Sequence, residues 1–227
     1  MEATTYRAAV RLQTSVLAAA EKRLLIRIAR RLPRWVNSDH LTALGGLAML
    51  AAGVGYWLSA RHPAALVLVV ACLAVNWFGD SLDGTVARVR NCQRPRYGFY
   101  VDHVLDTLGV LFILGGLGLS GHMTPIVAVG VLAAYYLLSI EIYLATSALG
   151  TFRMGFAGLG PTELRILLAI GTLALFNHAS VTIAGRSFLL FDLGGVIAAA
   201  GMVVFFLVSA AQNTRALYRE EPLVKGL

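Results

Sequence analysis

Six apolar stretches dominate this chain, and each is close to the length a helix needs to cross a bilayer, about 20 residues. They run Leu41–Ala60, Ala64–Val89, Gly98–Ser120, Thr124–Leu149, Pro161–Phe176 and Leu189–Gln212, the fifth being the shortest. In lipid every backbone N–H and C=O must be satisfied inside the segment, so runs of this kind read as α-helices. Composition agrees, since 58% of residues are apolar and 14% charged, against roughly one quarter charged in a soluble domain. The expected fold class is all-α: a polytopic bundle of six transmembrane helices with an N-terminal interfacial amphipathic helix. The connections leave no room for a second globular domain, which divides the chain into a cytoplasmic N-terminal segment (1–40), a membrane domain (41–212) and a cytoplasmic tail (213–227).

The net charge of +7 would draw a soluble protein to nucleic acid, but its distribution points elsewhere. Seventeen of the 19 Lys/Arg residues lie before the first span, around the second and fourth loops, or after the last span, and only Arg61 and Arg186 fall on the other side. By the positive-inside rule both termini and those two loops are cytoplasmic, and no nucleic-acid partner is expected. Cys72 sits within a span and Cys92 in a loop, which suggests neither a disulfide framework nor a zinc site. The N-terminus lacks the pattern of a removable signal peptide.

Between Glu21 and Arg34, Leu24, Leu25, Ile28 and Leu32 recur at helical spacing, with Lys22, Arg23, Arg27, Arg30, Arg31 and Arg34 largely on the other surfaces. This is the pattern of a basic amphipathic helix in the cytoplasmic interface; a solvated helix that merely obeys the charge rule is the plainer reading. Pro33 ends it, Trp35 suits the headgroup level, and Asn37, Ser38 and Asp39 offer capping oxygens before the first span. Small residues such as Gly115, Gly116, Gly118 and the Gly194/Ala198 pair allow close helix approach.

The chemistry gathers around the second loop. Span two ends with Asp80 and Asp83, span three opens with Asp102 and Asp106, and a short connection, Val89 to Tyr97, joins them. The spacings i, i+3 and i, i+4 put each pair on one helix face, and the short connection makes the helices antiparallel neighbours. Four facing carboxylates in a low dielectric cannot all ionise without a positive charge between them. A divalent cation supplies it, and an all-oxygen set selects Mg²⁺, Mn²⁺ or Ca²⁺ over zinc or copper. Two such ions suit a diphosphate substrate. Gly84 lets a phosphate approach the backbone closely, and Arg88, one turn on, is placed to pair with it. Taken alone, a glycine such as Gly84 is more often helix packing and an arginine such as Arg88 more often a snorkelling anchor, but clustered intramembrane acids default to function.

The pattern Asp80-x2-Asp83-Gly84-x2-Ala87-Arg88-x9-Gly98-x3-Asp102-x3-Asp106 resembles the complete signature of the CDP-alcohol phosphotransferases. That family combines such a signature with a six-span bundle and an N-terminal interfacial helix. The resemblance implies that an alcohol attacks the β-phosphoryl group of a cytidine-diphosphate donor and that CMP leaves, in phospholipid biosynthesis. It implies that Asp80, Asp83 and Asp102 are metal ligands, that Asp106 joins the second of two Mg²⁺ or Mn²⁺ ions and is the general base, and that Gly84, Ala87, Arg88 and Gly98 line the nucleotide pocket. The partners are then a CDP-alcohol donor and an alcohol acceptor, one of them a lipid, with a homodimer as the assembly.

Two features bear on the substrate. His103 beside Asp102, and the run Gly160-Pro161-Thr162-Glu163, resemble the branch that joins CDP-choline or CDP-ethanolamine to diacylglycerol. A histidine there can act as a second catalytic base or simply bond a helix carbonyl. Pro161 and Glu163 also fit the first turn of a helix as capping residues. Glu141, deep in span four, calls for a partner or a wet cavity; it contacts either an acceptor headgroup or a hydroxyl on a neighbouring helix. His40, His62, His122 and His178 carry no functional expectation. An ion-coupled transporter is the competing class, but it does not explain why the acids gather at one helix end beside a glycine and an arginine suited to phosphate. A dead scaffold is disfavoured by the unbroken signature. The donor is either CDP-diacylglycerol with a small polar acceptor or a small CDP-alcohol with a lipid acceptor.

Overall fold

The computed structural model describes residues 10–13, 18–154, 160–221 and 223. Arg7 and Lys225, part of the charge asymmetry, lie outside the described residues, as does the extreme N-terminus on which the signal-peptide expectation rests. The described elements are β1 (Val10–Gln13), α1 (Ala18–Arg31), α2 (Ser38–Ser59), α3 (Ala65–Val89), α4 (Pro95–Ser120), α5 (Pro125–Leu149), β2 (Thr151–Met154), α6 (Pro161–Ala174), β3 (Ser180–Ile183), β4 (Arg186–Leu189) and α7 (Leu190–Glu220).

Five helices, α2, α3, α4, α5 and α7, are long and apolar enough to cross a membrane. The fifth expected span, the shortest of the six, is α6, which starts at Pro161 as expected and has 14 residues, a rise of about 21 Å at 1.5 Å per residue. It nevertheless traverses much of the bundle. Its start meets α1 through Thr162 and α3 through Arg165, and Thr172 near its end bonds the Tyr56 hydroxyl near the end of α2. Beyond α6 the chain forms a β3–β4 hairpin, with Ser180 opposite Leu189 and Ile183 opposite Arg186. Its two-residue turn, Ala184–Gly185, has both φ values positive, 49° and 77°, the geometry that matches strand twist. β1 and β2 form a second, parallel pair. Neither pair was expected from the sequence. α7 also runs as one helix past Gln212, so the described start of the tail continues the last span.

Local chemistry sets the helix ends. Asn37 caps α2, its Oδ1 accepting from the His40 N–H at 2.9 Å, as a cap residue should. α4, α5 and α6 each begin with proline at the first turn, where the missing N–H costs nothing. Gly121 and Gly150 close α4 and α5 at φ 78° and 67°, the left-handed conformation that glycine adopts without strain.

α2 is the hub, packed along both α3 and α4. At one crossing a Cβ on Gly79 would meet the Leu41 carbonyl and the Gly45 backbone; at another, a Cβ on Gly116 would collide with the Gly53 carbonyl. Of the expected small-residue contacts, Gly116 and Gly118 are used, whereas Gly115 and Gly194 have no neighbour within 4 Å of a Cβ and Gly195 makes the close approach instead. The main core gathers Ala52, Tyr56, Val69 and Leu117 with their neighbours. α1 docks on a second cluster: Leu25 and Ala29 are buried against Leu41, Leu82 and Val86, with Ile28 and Leu32 packed alongside. Leu24, expected on the same face, is exposed, and so are the basic residues Lys22, Arg23, Arg27, Arg30 and Arg31.

Candidate active site

The close α2–α3 crossing falls at Gly79, the residue before Asp80, so the acidic end of α3 lies directly on α2. Asn76 secures the contact, its Nδ2 donating to the Gly45 carbonyl at 3.0 Å. α4 packs along α2 as well, with Leu105 against Gly46, which brings the opening of α4 to the same place. Carboxylate oxygens of Asp80, Asp102 and Asp106 thereby lie within 4.8 Å of one another, all three half-buried. Three oxygens from two helices at that spacing fit a hard divalent cation.

Asp83 stands apart from these three. Its Oδ2 accepts from Thr42 Oγ1 of α2 at 2.6 Å, its Oδ1 from the Gly84 N–H, and its backbone carbonyl from Ser38 Oγ at 3.0 Å. It faces a cavity of about 320 Å³ whose wall also includes Gly84, Ala87, Arg88, Gly98 and Asp102. All four expected nucleotide-pocket residues are therefore together in one cavity, bordered by carboxylates. A Cβ on Gly98 would meet nothing within 4 Å, while one on Gly84 would press on the Arg88 guanidinium at 3.2 Å. Arg88 donates to Thr85 Oγ1 at 3.0 Å. Arg94, at the same cavity, pairs with Asp39 and lies over the Tyr97 ring at 4.2 Å.

Nothing in the sequence singles out Arg165 of α6. Its Nη2 lies 2.6 Å from Asp80 Oδ2 and its Nε donates to Asn76 Oδ1 at 2.7 Å. Its Nη1 is buried and has no hydrogen-bond partner among the described residues.

His103 is buried. Its Nδ1–H donates to the Phe99 carbonyl one turn back at 2.6 Å, and its ring packs on Phe99 and edge-on to Tyr143 at centroid distances of 4.1 and 5.1 Å. Asp102 Oδ2 is 4.0 Å from Nδ1. Glu163 caps α6, its Oε2 accepting from the Gly160 N–H at 2.9 Å. Glu141 faces α7, where Ser209 Oγ and Asn213 Nδ2 donate to it at 2.9 and 2.7 Å; the hydroxyl on a neighbouring helix is found, with an amide beside it.

A family model described as CDP-alcohol phosphatidyltransferase matches residues 35–211, which takes in the whole acid cluster and its cavity. The chain belongs to this family. As a CDP-alcohol phosphatidyltransferase it is a transferase of substituted phosphate groups and an integral, multi-pass membrane protein. Among its relatives is the archaetidylinositol phosphate synthase of Pyrococcus horikoshii, 29% identical over 147 residues that make up 64% of this chain and 73% of the relative. The enzyme of that name from Methanothermobacter thermautotrophicus is 33% identical over 103 residues, 43% of this chain and 50% of the relative. In fold the chain is similar to Mycobacterium tuberculosis phosphatidylinositol phosphate synthase solved with CDP-DAG bound: TM-score 0.61 at 18% identity, over 90% of this chain and 98% of the other.

Proposed function

We propose that this transferase takes a phosphatidyl-type group from a CDP-linked glycerolipid, passes it to an inositol phosphate, and releases CMP. Arg165 carries the reading. A half-buried guanidinium on Asp80, with one nitrogen lacking a partner among the described residues, provides a fixed cation beside the acid cluster, suited to an anionic, phosphorylated acceptor. A neutral lipid hydroxyl has no use for it. The names of the two relatives and the CDP-DAG held by the structural neighbour point the same way.

In this reading the CDP moiety occupies the Asp83–Gly84–Gly98 cavity, with Arg88 placed to pair with a donor phosphate. Asp80, Asp83, Asp102 and Asp106 would hold two divalent ions, Mg²⁺ or Mn²⁺, which supply charge neutralisation to the diphosphate and to departing CMP. Asp106 is the general base. It takes the acceptor hydroxyl proton as the new O–P bond forms and the bond from phosphorus to the CMP oxygen breaks. Arg165 orients the acceptor through its phosphate, so that the attacking oxygen is held rather than searched for. Both features that resemble the amino-alcohol branch have structural partners here, His103 on Phe99 and Glu163 on Gly160. The acid end carries α1, Arg88, Arg90, Arg94 and Arg165, which supports a cytoplasmic site and termini. A homodimer is part of the proposal on family grounds.

The test is CMP release by purified protein with CDP-diacylglycerol against inositol phosphate, inositol, glycerol phosphate and serine, and with CDP-choline against diacylglycerol. Turnover is expected with inositol phosphate and not with unphosphorylated inositol. Turnover confined to CDP-choline and diacylglycerol overturns the proposal.

A further inference from the structure

α6 packs Leu168 and Ala169, both only partly buried, against the main core, and makes polar contacts at both of its ends. Among its residues Thr172 alone is fully buried, and that residue bonds Tyr56. The opposite end, which carries Arg165, needs its own attachment.

Glu21 provides one. It sits in the first turn of the interfacial helix α1, and its Oε1 accepts three hydrogen bonds from two other helices. Trp77 Nε1 of α3 donates at 2.7 Å, Ser81 Oγ of α3 at 3.3 Å and Thr162 Oγ1 of α6 at 2.8 Å. On α3, Trp77 and Ser81 are one turn apart and each directly follows a residue that binds Arg165, namely Asn76 and Asp80. On α6, Thr162 and Arg165 are spaced i, i+3 and so share a face. The first turn of α6 is therefore fastened to α3 at two adjacent points, through Glu21 on one side and through Arg165 on the other.

We infer that Glu21 is a positioning residue for the acceptor site: it fixes the first turn of α6 against α3 and so keeps the Arg165 guanidinium on Asp80. Arginine has large rotamer freedom, and the placement of its Cα limits where its guanidinium can rest. Loss of a carboxylate that receives three donors releases Thr162, leaves the Trp77 indole N–H without its acceptor, and lets α6 drift by a fraction of a turn. The interfacial helix thus belongs to the active site, although no α1 residue lines the nucleotide cavity. The inference rests on the acceptor role proposed for Arg165.

Steady-state kinetics with the acceptor and donor varied separately test it, on detergent-purified wild type, Glu21→Ala, Glu21→Gln, Thr162→Val, Arg165→Lys and the pair Glu21→Ala/Thr162→Val. Charge-assisted hydrogen bonds of this kind predict an acceptor KM raised about 10-fold in Glu21→Ala, with donor KM within about 3-fold. Glu21→Gln, which keeps an accepting oxygen but loses the charge, is expected to fall between wild type and Glu21→Ala. Thr162→Val should reproduce part of the rise by removing only the α6 contact, and the pair should be no worse than Glu21→Ala alone. Equal damage to donor and acceptor KM, or Thr162→Val without effect, overturns the inference even if Glu21→Ala purifies poorly. If Arg165→Lys leaves acceptor KM unchanged, the acceptor role of Arg165 fails, and this inference with it. If Arg165→Lys raises acceptor KM while Thr162→Val and Glu21→Ala do not, only the role of Glu21 fails.

Discussion

Thr42 on α2 donates from Oγ1 to Asp83 Oδ2 over 2.6 Å, and with this contact a helix that carries no signature residue orients one of the four signature acids. Ligating carboxylates held by a second hydrogen bond lose affinity for their ion when that bond is removed, by about 10- to 100-fold. Thr42→Val is therefore expected to raise the Mg²⁺ concentration for half-activation about 10-fold, with Thr42→Ser near wild type. A titration curve for Thr42→Val that overlies wild type would show that Asp83 needs no such support.

An all-oxygen site binds Mg²⁺ or Mn²⁺ reversibly, so chelator-treated enzyme should be inactive and regain activity on adding either ion. Asp83→Asn removes a charge and almost no volume. Turnover is expected below about a tenth of wild type, a loss above about 1.4 kcal/mol, in a protein that still purifies as a folded species. Full activity after chelation would remove the metal account.

The signature acids and the long spans were legible in the sequence because both are local: Asp80 to Asp106 is one helix–loop–helix, and a span announces itself through a continuous apolar run. Thr42, Glu21 and Arg165 were not. Each acts through partners 41 to 141 residues away, and such pairings arise from helix packing rather than spacing along the chain. In the sequence Arg165 is one basic residue among those of the fourth loop; its place one turn into α6, on the face of Thr162, is what puts it on Asp80. The shortness of α6 was legible, since Pro161–Phe176 is the shortest apolar run, but the β3–β4 hairpin beyond it was not: its pairing depends on the positive φ values at Ala184 and Gly185, which spacing along the chain does not announce.

His103 separates a base from a packing residue. With its Nδ1–H on the Phe99 carbonyl and its ring between Phe99 and Tyr143, it is expected to act by packing. His103→Ala should then cost less than about 10-fold in turnover, whereas loss of a general base costs about 10² or more. A loss of the larger size, with donor affinity unchanged, would restore it as a second base.

Neighbouring glycines of α4 are expected to behave differently. A Cβ on Gly116 would run into the Gly53 backbone, while one on Gly115 meets nothing within 4 Å. Gly116→Ala should cost about 1–3 kcal/mol, as overpacking does, and lower the midpoint of thermal unfolding in detergent. Gly115→Ala should leave that midpoint unchanged. Equal midpoints for the two variants would mean that α2 and α4 do not cross as closely as described.

Cys92 reports on topology and on the proposed nucleotide cavity at once. It is exposed, whereas Cys72 is buried, and it stands on the cavity wall with Arg88 and Gly98. On the proposed topology, argued from the distribution of basic residues, this loop is cytoplasmic. In a Cys72→Ala background, a membrane-impermeant thiol reagent should label Cys92 in inverted vesicles and not in intact cells. Labelling from outside would reverse the orientation. The same reaction reads occupancy, because a ligand in a cavity of about 320 Å³ leaves little space for a reagent at its wall. Adding CDP-diacylglycerol with Mg²⁺ should slow labelling, and Asp83→Asn should abolish that protection if the acids and the cavity form one site. Unchanged labelling with saturating donor would move the nucleotide elsewhere and separate the acid cluster from the cavity beside it.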